Sequence, residues 1–199
     1  MRKPRRRPGY ARAFAAAFGG DGTVSLSHIV RAIAAFERTL ISGESAFDHY
    51  VFGGEHAALS DGARRGMALF FSARIGCSGC HSGINFAGNW RDARGATGPA
   101  SFALDGTSAR AVRVPTLRNV ALTAPYMHDG RFASLDEVLG HYARLGARAA
   151  HGQVLDRRLP RAPLTGAERA DLIAFLDSLT DSAFVARYQQ PPPPPPGGR

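Results

Sequence analysis

The chain's only two cysteines, Cys77 and Cys80, lie three positions apart and directly before His81. In this C-x-x-C-H pattern each thiol can form a thioether with one vinyl group of the same porphyrin, and the histidine can bind the iron as its proximal ligand. Such a cofactor constrains the fold, because the chain must wrap it and the porphyrin replaces much of the hydrophobic core. The motif therefore predicts one covalently bound haem c.

Two other uses of a C-x-x-C pair are a thioredoxin-like redox dithiol and half of a zinc site. A redox pair usually lies near a β-α-β pattern, and the sequence shows none. A structural zinc ion needs four ligands, commonly from a second Cys/His cluster. The sequence contains no second C-x-x-C and no H-x-x-x-H. Haem attachment is the better interpretation of the motif.

Apolar residues recur at the period of a helix in several stretches of the chain. One stretch runs from residue 29 to residue 40, and a helix capped by Ser60 leads into the motif. Two others follow the capping boxes Ser134-x-x-Glu137 and Thr165-x-x-Glu168. No stretch is a convincing strand, and residues 83–113, rich in Gly, Ala and Ser, are interpreted as an irregular loop over the haem. We predict an all-α fold, a cytochrome c-like haem domain with long loops.

Length and charge predict three segments. A chain of 199 residues fits about one domain, and its formal net charge of +9 is concentrated in a basic N-terminal run. We expect residues 1–24 to be a basic, partly disordered arm with a remnant of a preceding domain, residues 25–182 a haem domain, and residues 183–199 a Pro-rich disordered tail. Aromatic residues do not interleave with the basic ones, so we predict no nucleic-acid partner.

The sequence also bears on cellular location. No stretch reaches the roughly 18 apolar residues of a membrane span, so we predict no membrane span. Covalent haem attachment takes place outside the bacterial cytoplasm, yet residues 11–18, the best candidate for the apolar part of an export signal, are interrupted by Arg12. We expect a periplasmic protein whose signal peptide has been lost from this chain by truncation.

A six-coordinate haem c takes its second axial ligand from a residue that commonly lies downstream of the motif. The downstream candidates are Met127, His128, His141, Tyr142 and His151. Tyr142 lies on the apolar face of the helix predicted after residue 134, and His141 lies one residue off that face. Because a tyrosine on such a face is more often a buried aromatic side chain than a ligand, the residues alone leave the ligand open.

Four stretches resemble the C-terminal half of the bacterial di-haem cytochrome c peroxidase and MauG family. They are residues 28–40, 65–83, 113–142 and 164–179, and the most specific sequence among them is VPTLRNVALTAPYMHDG. The resemblance implies that Cys77, Cys80 and His81 bind the family's second haem. In the family the distal ligand lies on the helix after the HDG segment; it is a methionine in the peroxidases and a tyrosine in MauG-type proteins. The matching residue here is Tyr142, which implies a tyrosine-ligated haem.

The resemblance implies two further sites. The family binds a calcium ion between its two haems, and the backbone carbonyls of Thr123 and Pro125 match two of its ligands. An acidic residue that acts in acid–base chemistry over the peroxide-binding haem matches Glu37, which would be catalytic. Family members carry that haem on a first C-x-x-C-H in an N-terminal domain, and this chain has no second such motif.

We therefore predict the haem c electron-transfer domain of a di-haem peroxidase or MauG-like oxidoreductase. It would pass electrons to a peroxide-activated haem in an N-terminal domain absent from this chain. The implied partners are hydrogen peroxide and either a redox protein, such as a small cytochrome or cupredoxin, or a protein substrate. One alternative is a stand-alone single-haem cytochrome c that carries electrons, and another is a basic binding protein without haem.

Overall fold

The computed structural model describes residues 8–91, 97–99, 101–102, 112–150 and 163–189. The basic run at residues 1–7, His151 and the prolines after residue 190 lie outside these described residues. The chain divides into two compact units. One unit comprises residues 1–42 with 183–199, and the other comprises residues 43–182. Each unit is described by itself.

The fold is helical, as the sequence predicts. The described residues contain seven α-helices and two short 3-10 turns, at Cys77–Gly79 and Val120–Leu122. The helices are α1 (Pro8–Phe18), α2 (Leu26–Glu37), α3 (Ala46–Val51), α4 (Asp61–Phe71), α5 (Leu135–Ala150), α6 (Gly166–Asp177) and α7 (Ser182–Gln189). None of them is long and apolar enough to cross a bilayer.

Side-chain caps fix where several of these helices begin. Thr165 and Glu168 form a reciprocal capping box at the start of α6. Before α5, the side chains of Ser134 and Glu137 each accept a hydrogen bond from the backbone N–H of the other residue. The Ser60 hydroxyl accepts a hydrogen bond from the Ala63 N–H at the start of α4. Each cap satisfies backbone N–H groups that have no partner within the helix. These three predicted helix starts are confirmed.

In the first unit, α1 and α2 are joined by aromatic and cationic contacts. The His28 ring stacks on Phe18 with 4.5 Å between ring centroids, and Arg31 lies 5.1 Å from the centre of the same ring. None of the twelve residues of α2 is buried. Helix α7 overlaps the segment 183–199 that we expected to be disordered, so that expectation is wrong for residues 183–189. The proline run begins only at residue 191, after the apolar residues of this helix.

In the second unit, an aromatic cluster forms the core. Phe175 of α6 is fully buried, and its ring centroid lies 5.1 Å from that of Phe70 on α4. Phe47 and Phe86 complete the cluster, with 5.2 Å between their ring centroids. Helices α4 and α6 approach closely at Gly66, where a Cβ atom would lie 1.9 Å from a backbone oxygen of α6. This core supports the polypeptide that follows α4, which carries the C-x-x-C-H motif.

The described residues also contain two antiparallel pairs of very short strands. β1 (Asn89–Arg91) pairs with β2 (Thr97–Pro99), and β3 (Ser101–Phe102) pairs with β4 (Val112–Arg113). The expectation of an entirely irregular loop over residues 83–113 is wrong at these positions. Strands of two or three residues that contain Gly and Pro carry too little alternation of apolar and polar residues for the sequence to reveal them.

Candidate haem site

Tight turns after α4 place the C-x-x-C-H motif. Gly76 has a φ of +71°, a conformation that favours glycine, and it begins the 3-10 turn that contains Cys77. The Cys77 carbonyl accepts hydrogen bonds from the N–H groups of Cys80, at 3.2 Å, and His81, at 2.9 Å. The two cysteines are half-buried and are not joined in a disulfide. The three motif residues thus lie within one compact turn.

The His81 ring is anchored through its Nδ1 atom. Nδ1 lies 2.9 Å from the Phe86 carbonyl oxygen, and because a carbonyl can only accept, Nδ1 must carry the hydrogen. Burial lowers the pKa of His81, although hydrogen bonds with the backbone of Phe86 and Pro115 act in the opposite direction. A neutral imidazole with its hydrogen on Nδ1 offers Nε2 to a metal. This is the form in which a histidine binds haem iron.

The surroundings of the motif weigh against the two alternative uses of its cysteines. Burial raises the pKa of Cys77 to about 12, so Cys77 is not suited to be the reactive thiol of a redox dithiol. Among the described residues, no group of three or more His, Cys, Asp or Glu side chains could hold a metal ion. Neither a redox dithiol nor a closed zinc site is therefore supported.

Helix α5 brings Tyr142 into the surroundings of the two thiols. Burial of its hydroxyl raises the pKa of Tyr142 to about 12, and the neighbouring Cys80 and Cys77 contribute to this increase. The ring of His141 contacts that of Tyr142 at 5.8 Å between centroids. Two thiols, an oriented imidazole and a half-buried phenol form a donor set that fits a covalently attached haem with histidine and tyrosine ligands.

The other candidate ligands are placed differently. Met127 is half-buried in a tight turn with a φ of +72°, and His128 is exposed to solvent. His151 lies outside the described residues. Tyr142 lies close enough to both cysteines for their charges to contribute to the raised pKa of its hydroxyl.

The residues of the two further implied sites are solvent-exposed. Thr123 and Pro125 follow the 3-10 turn Val120–Leu122, and the Thr123 hydroxyl donates to the Val120 carbonyl at 3.0 Å. Glu37 is the last residue of α2, in the first unit. Thr123 and Pro125 lie in the second unit, so the residues of the two implied sites are described in separate units.

The sequence analysis did not single out two residues that contact the loop after the motif, nor one residue within that loop. The Arg118 Nε–H donates to the Ile84 carbonyl at 2.9 Å, and the Thr116 hydroxyl donates to the Asn85 carbonyl at 2.6 Å. Phe86 supplies the acceptor for His81. Thr116 and Arg118 lie within the specific stretch VPTLRNVALTAPYMHDG, which was the only available signal, because their contacts span more than 30 positions of sequence.

Comparisons with known proteins agree with the resemblance. The family model described as di-haem cytochrome c peroxidase matches residues 1–56. The methylamine utilization protein MauG of Methylorubrum extorquens is 38% identical over 179 residues, which are 86% of this chain and 49% of that protein. The cytochrome c551 peroxidase of Nitrosomonas europaea is 33% identical, covering 87% of this chain and 50% of that protein. The chain thus spans about half the length of these curated relatives.

Solved structures show the same relationship. A MauG-like protein associated with microbial copper homeostasis superimposes with a TM-score of 0.71 at 32% identity, covering 92% of this chain and 61% of that one. A variant of the diheme peroxidase BthA from Burkholderia thailandensis superimposes with a TM-score of 0.59 at 25% identity, covering 87% and 56%. The fold and the sequence agree, and the chain belongs to the family of di-haem cytochrome c peroxidases and MauG proteins.

Proposed function

We propose that this chain is a haem c electron-transfer domain of a peroxidase-type or MauG-like oxidoreductase. Cys77 and Cys80 would attach the porphyrin, and His81 and Tyr142 would be the two axial ligands of its iron. The observation that carries the proposal is the position of Tyr142. Its hydroxyl lies close enough to both thiols of the motif that presents His81 for the charges of Cys77 and Cys80 to act on it.

Each residue would have a separate role in such a site. A haem bound here would supply one-electron oxidation and reduction at its iron. The Phe86 carbonyl holds the imidazole of His81 in the tautomer that binds metal. The pKa of about 12 keeps the proton on the Tyr142 hydroxyl in the absence of metal, so coordination would release that proton to solvent. A phenolate is a hard anionic donor that favours ferric iron, and the reduction potential would therefore be low.

The same ligand set argues for electron transfer and against peroxide chemistry at this site. Peroxide needs an open coordination position, and His81 and Tyr142 would fill both axial positions. In a whole protein, electrons from a small cytochrome, a cupredoxin or a protein substrate would pass through this domain. They would reach a haem in a second, N-terminal domain, where Glu37 would act as a general acid towards hydrogen peroxide. Such a protein would work in the periplasm.

Calcium is proposed only as a ligand of the whole protein. The cation takes six to eight oxygen ligands, and Thr123 and Pro125 would supply two backbone carbonyls. Both residues are exposed to solvent, so further oxygen atoms would have to come from another domain and from water. Calorimetry on this chain should show binding weaker than micromolar, and tighter binding would contradict this assignment.

The test of the proposed function compares electron exchange with peroxide turnover. The chain is produced with haem-maturation machinery, and its haem is reduced and reoxidised by small mediators while peroxide consumption is followed separately. We expect reversible electron exchange and negligible peroxide turnover. Turnover at the rates of ordinary enzymes, about 1–10³ per second, would contradict the proposal, since it requires an open iron position.

The second candidate function is a stand-alone single-haem electron carrier. The two candidates differ in their partner. A carrier exchanges electrons with separate proteins, whereas a domain of a larger oxidoreductase restores peroxide turnover when the family's peroxide-binding haem domain is supplied. Restored turnover with that domain, absent with the chain alone, would support the first function and exclude the second.

A further inference from the structure

The loop from Ile84 to Phe86 is held through three consecutive carbonyl groups. Arg118 Nε donates to the Ile84 carbonyl at 2.9 Å, and the Thr116 hydroxyl donates to the Asn85 carbonyl at 2.6 Å. The Phe86 carbonyl in turn lies 2.9 Å from His81 Nδ1. The first two contacts fix the position of the loop. The third contact holds the ring of His81, the candidate proximal ligand, against the loop.

The acceptor residue itself has an unusual backbone conformation. Phe86 has a φ of +50°, in the left-handed region that bulky side chains rarely occupy. Such a conformation persists only where surrounding contacts over-determine it. Its ring is buried and lies edge-on to the rings of Phe47 and Phe70. The direction of the Phe86 carbonyl therefore depends on contacts outside the loop.

Arg118 is the strongest of those outside contacts. Its side chain is 4% exposed, and Nη1 lies 2.5 Å from a carboxylate oxygen of Asp48, which is itself hydrogen-bonded to Ser45. The guanidinium lies over the Phe86 ring, 5.5 Å from its centre. A planar guanidinium can hold Asp48 with one nitrogen and the Ile84 carbonyl with another, and a lysine ammonium lacks this fork geometry. Arg118 thus links the start of α3 to the loop.

We propose that Arg118 and Thr116 are positioning residues that tune the electronic state of the haem iron through the loop and His81. The inference rests on the proposed haem site. A hydrogen bond from the second ring nitrogen raises the basicity of a metal-bound histidine and fixes its orientation. Loosening the Phe86 carbonyl would weaken that bond, and ferric iron would be stabilised less. The reduction potential would then rise.

The experiment uses the haem-loaded chain and three variants. Arg118→Lys keeps the positive charge that faces Asp48 but loses the hydrogen bond that the guanidinium donates to the Ile84 carbonyl. Thr116→Val removes a hydroxyl of an exposed residue that donates to the Asn85 carbonyl and accepts from the Arg118 backbone N–H at 3.1 Å. The control is Arg65→Lys, because Arg65 is an exposed arginine that pairs with Asp171 and makes no contact with the loop. Midpoint potentials are measured by spectroelectrochemistry, and ferric g-values by electron paramagnetic resonance.

We expect both loop variants to raise the midpoint potential and shift the g-values, with Arg118→Lys giving the larger change and Arg65→Lys giving none. If Arg118→Lys does not fold, the midpoint potential and g-values of Thr116→Val test the inference. Loop variants that lose stability while potential and g-values match the unmutated chain would overturn the inference, since a purely structural role predicts that result. A chain without covalent haem overturns the proposed function as well, whereas a loaded chain with an unchanged potential overturns this inference alone.

Discussion

Replacing Asp48 by asparagine tests the buried ion pair that connects the core to the loop after the motif. The side chains of Asp48 and Arg118 are 7% and 4% exposed, so the substitution leaves a cation buried without its counter-charge. Removing one partner of a buried pair costs about 3–5 kcal/mol. For a domain of this size, that loss lowers the midpoint of thermal unfolding by roughly 6–20 °C.

A matched control separates this effect from the loss of any carboxylate. Asp171→Asn removes the same charge from a pair whose arginine, Arg65, is 63% exposed, and exposed pairs contribute about 0–1 kcal/mol. Guanidinium unfolding of both variants, each with the same haem content, gives the two free energies of unfolding. We expect Asp48→Asn to cost at least about 2 kcal/mol more than the control. Equal costs for the two variants would refute the reasoning that Arg118 depends on Asp48.

The remaining predictions concern pH, helix packing and the axial ligand. Burial acts to raise the pKa of Asp48, but hydrogen bonds from Arg118 and Ser45 outweigh it and hold this pKa below its usual range. Its contribution to stability is therefore complete above the unfolded pKa of about 3.9 and is lost as pH falls through the folded pKa. Acid unfolding curves should show a weaker pH dependence in Asp48→Asn, and identical slopes would contradict this. Gly66→Ala should destabilise the chain by about 1–3 kcal/mol, because the added Cβ would lie 1.9 Å from the Asp171 carbonyl oxygen. Gly62→Ala on the same helix meets only a side-chain oxygen at 3.2 Å and should be near neutral in the same unfolding assay, so equal losses would be the contrary result. Tyr142→Phe should convert the ferric haem to a five-coordinate or water-ligated form, and an unchanged absorption spectrum would transfer the ligand role to another residue.

Local sequence rules predicted the helices well and the strands poorly. The capping residues before α4, α5 and α6 bond to backbone groups three positions away, so the sequence alone contains both partners. Residues 89–91 and 97–99 pair with each other and have no apolar alternation of their own, and their strand character arises from the pairing. Helix α7 was missed because the Pro-rich composition of the tail was extended too far upstream.

The candidate site likewise contains residues that local sequence predicts and residues that it does not. The cysteines and His81 are contiguous, so their spacing alone predicted the attachment chemistry. Tyr142 could be placed on a helix face by periodicity, but periodicity does not say what that face covers, and only the resemblance pointed to a ligand. The contacts of Arg118 with Asp48 and with Ile84 span 70 and 34 positions. No pattern of local sequence contains such pairs, so the network that anchors the loop became visible only in the folded chain.

The central claim is that Cys77 and Cys80 hold a haem covalently and that His81 lies beneath it. The most direct test produces the chain with haem-maturation machinery, extracts it with acid–acetone and measures the intact mass. The account predicts one haem per chain that survives extraction, and no retained haem after both cysteines are changed to alanine. Covalent haem in the double variant, or an unmutated chain that loses all of its haem on extraction, would contradict it.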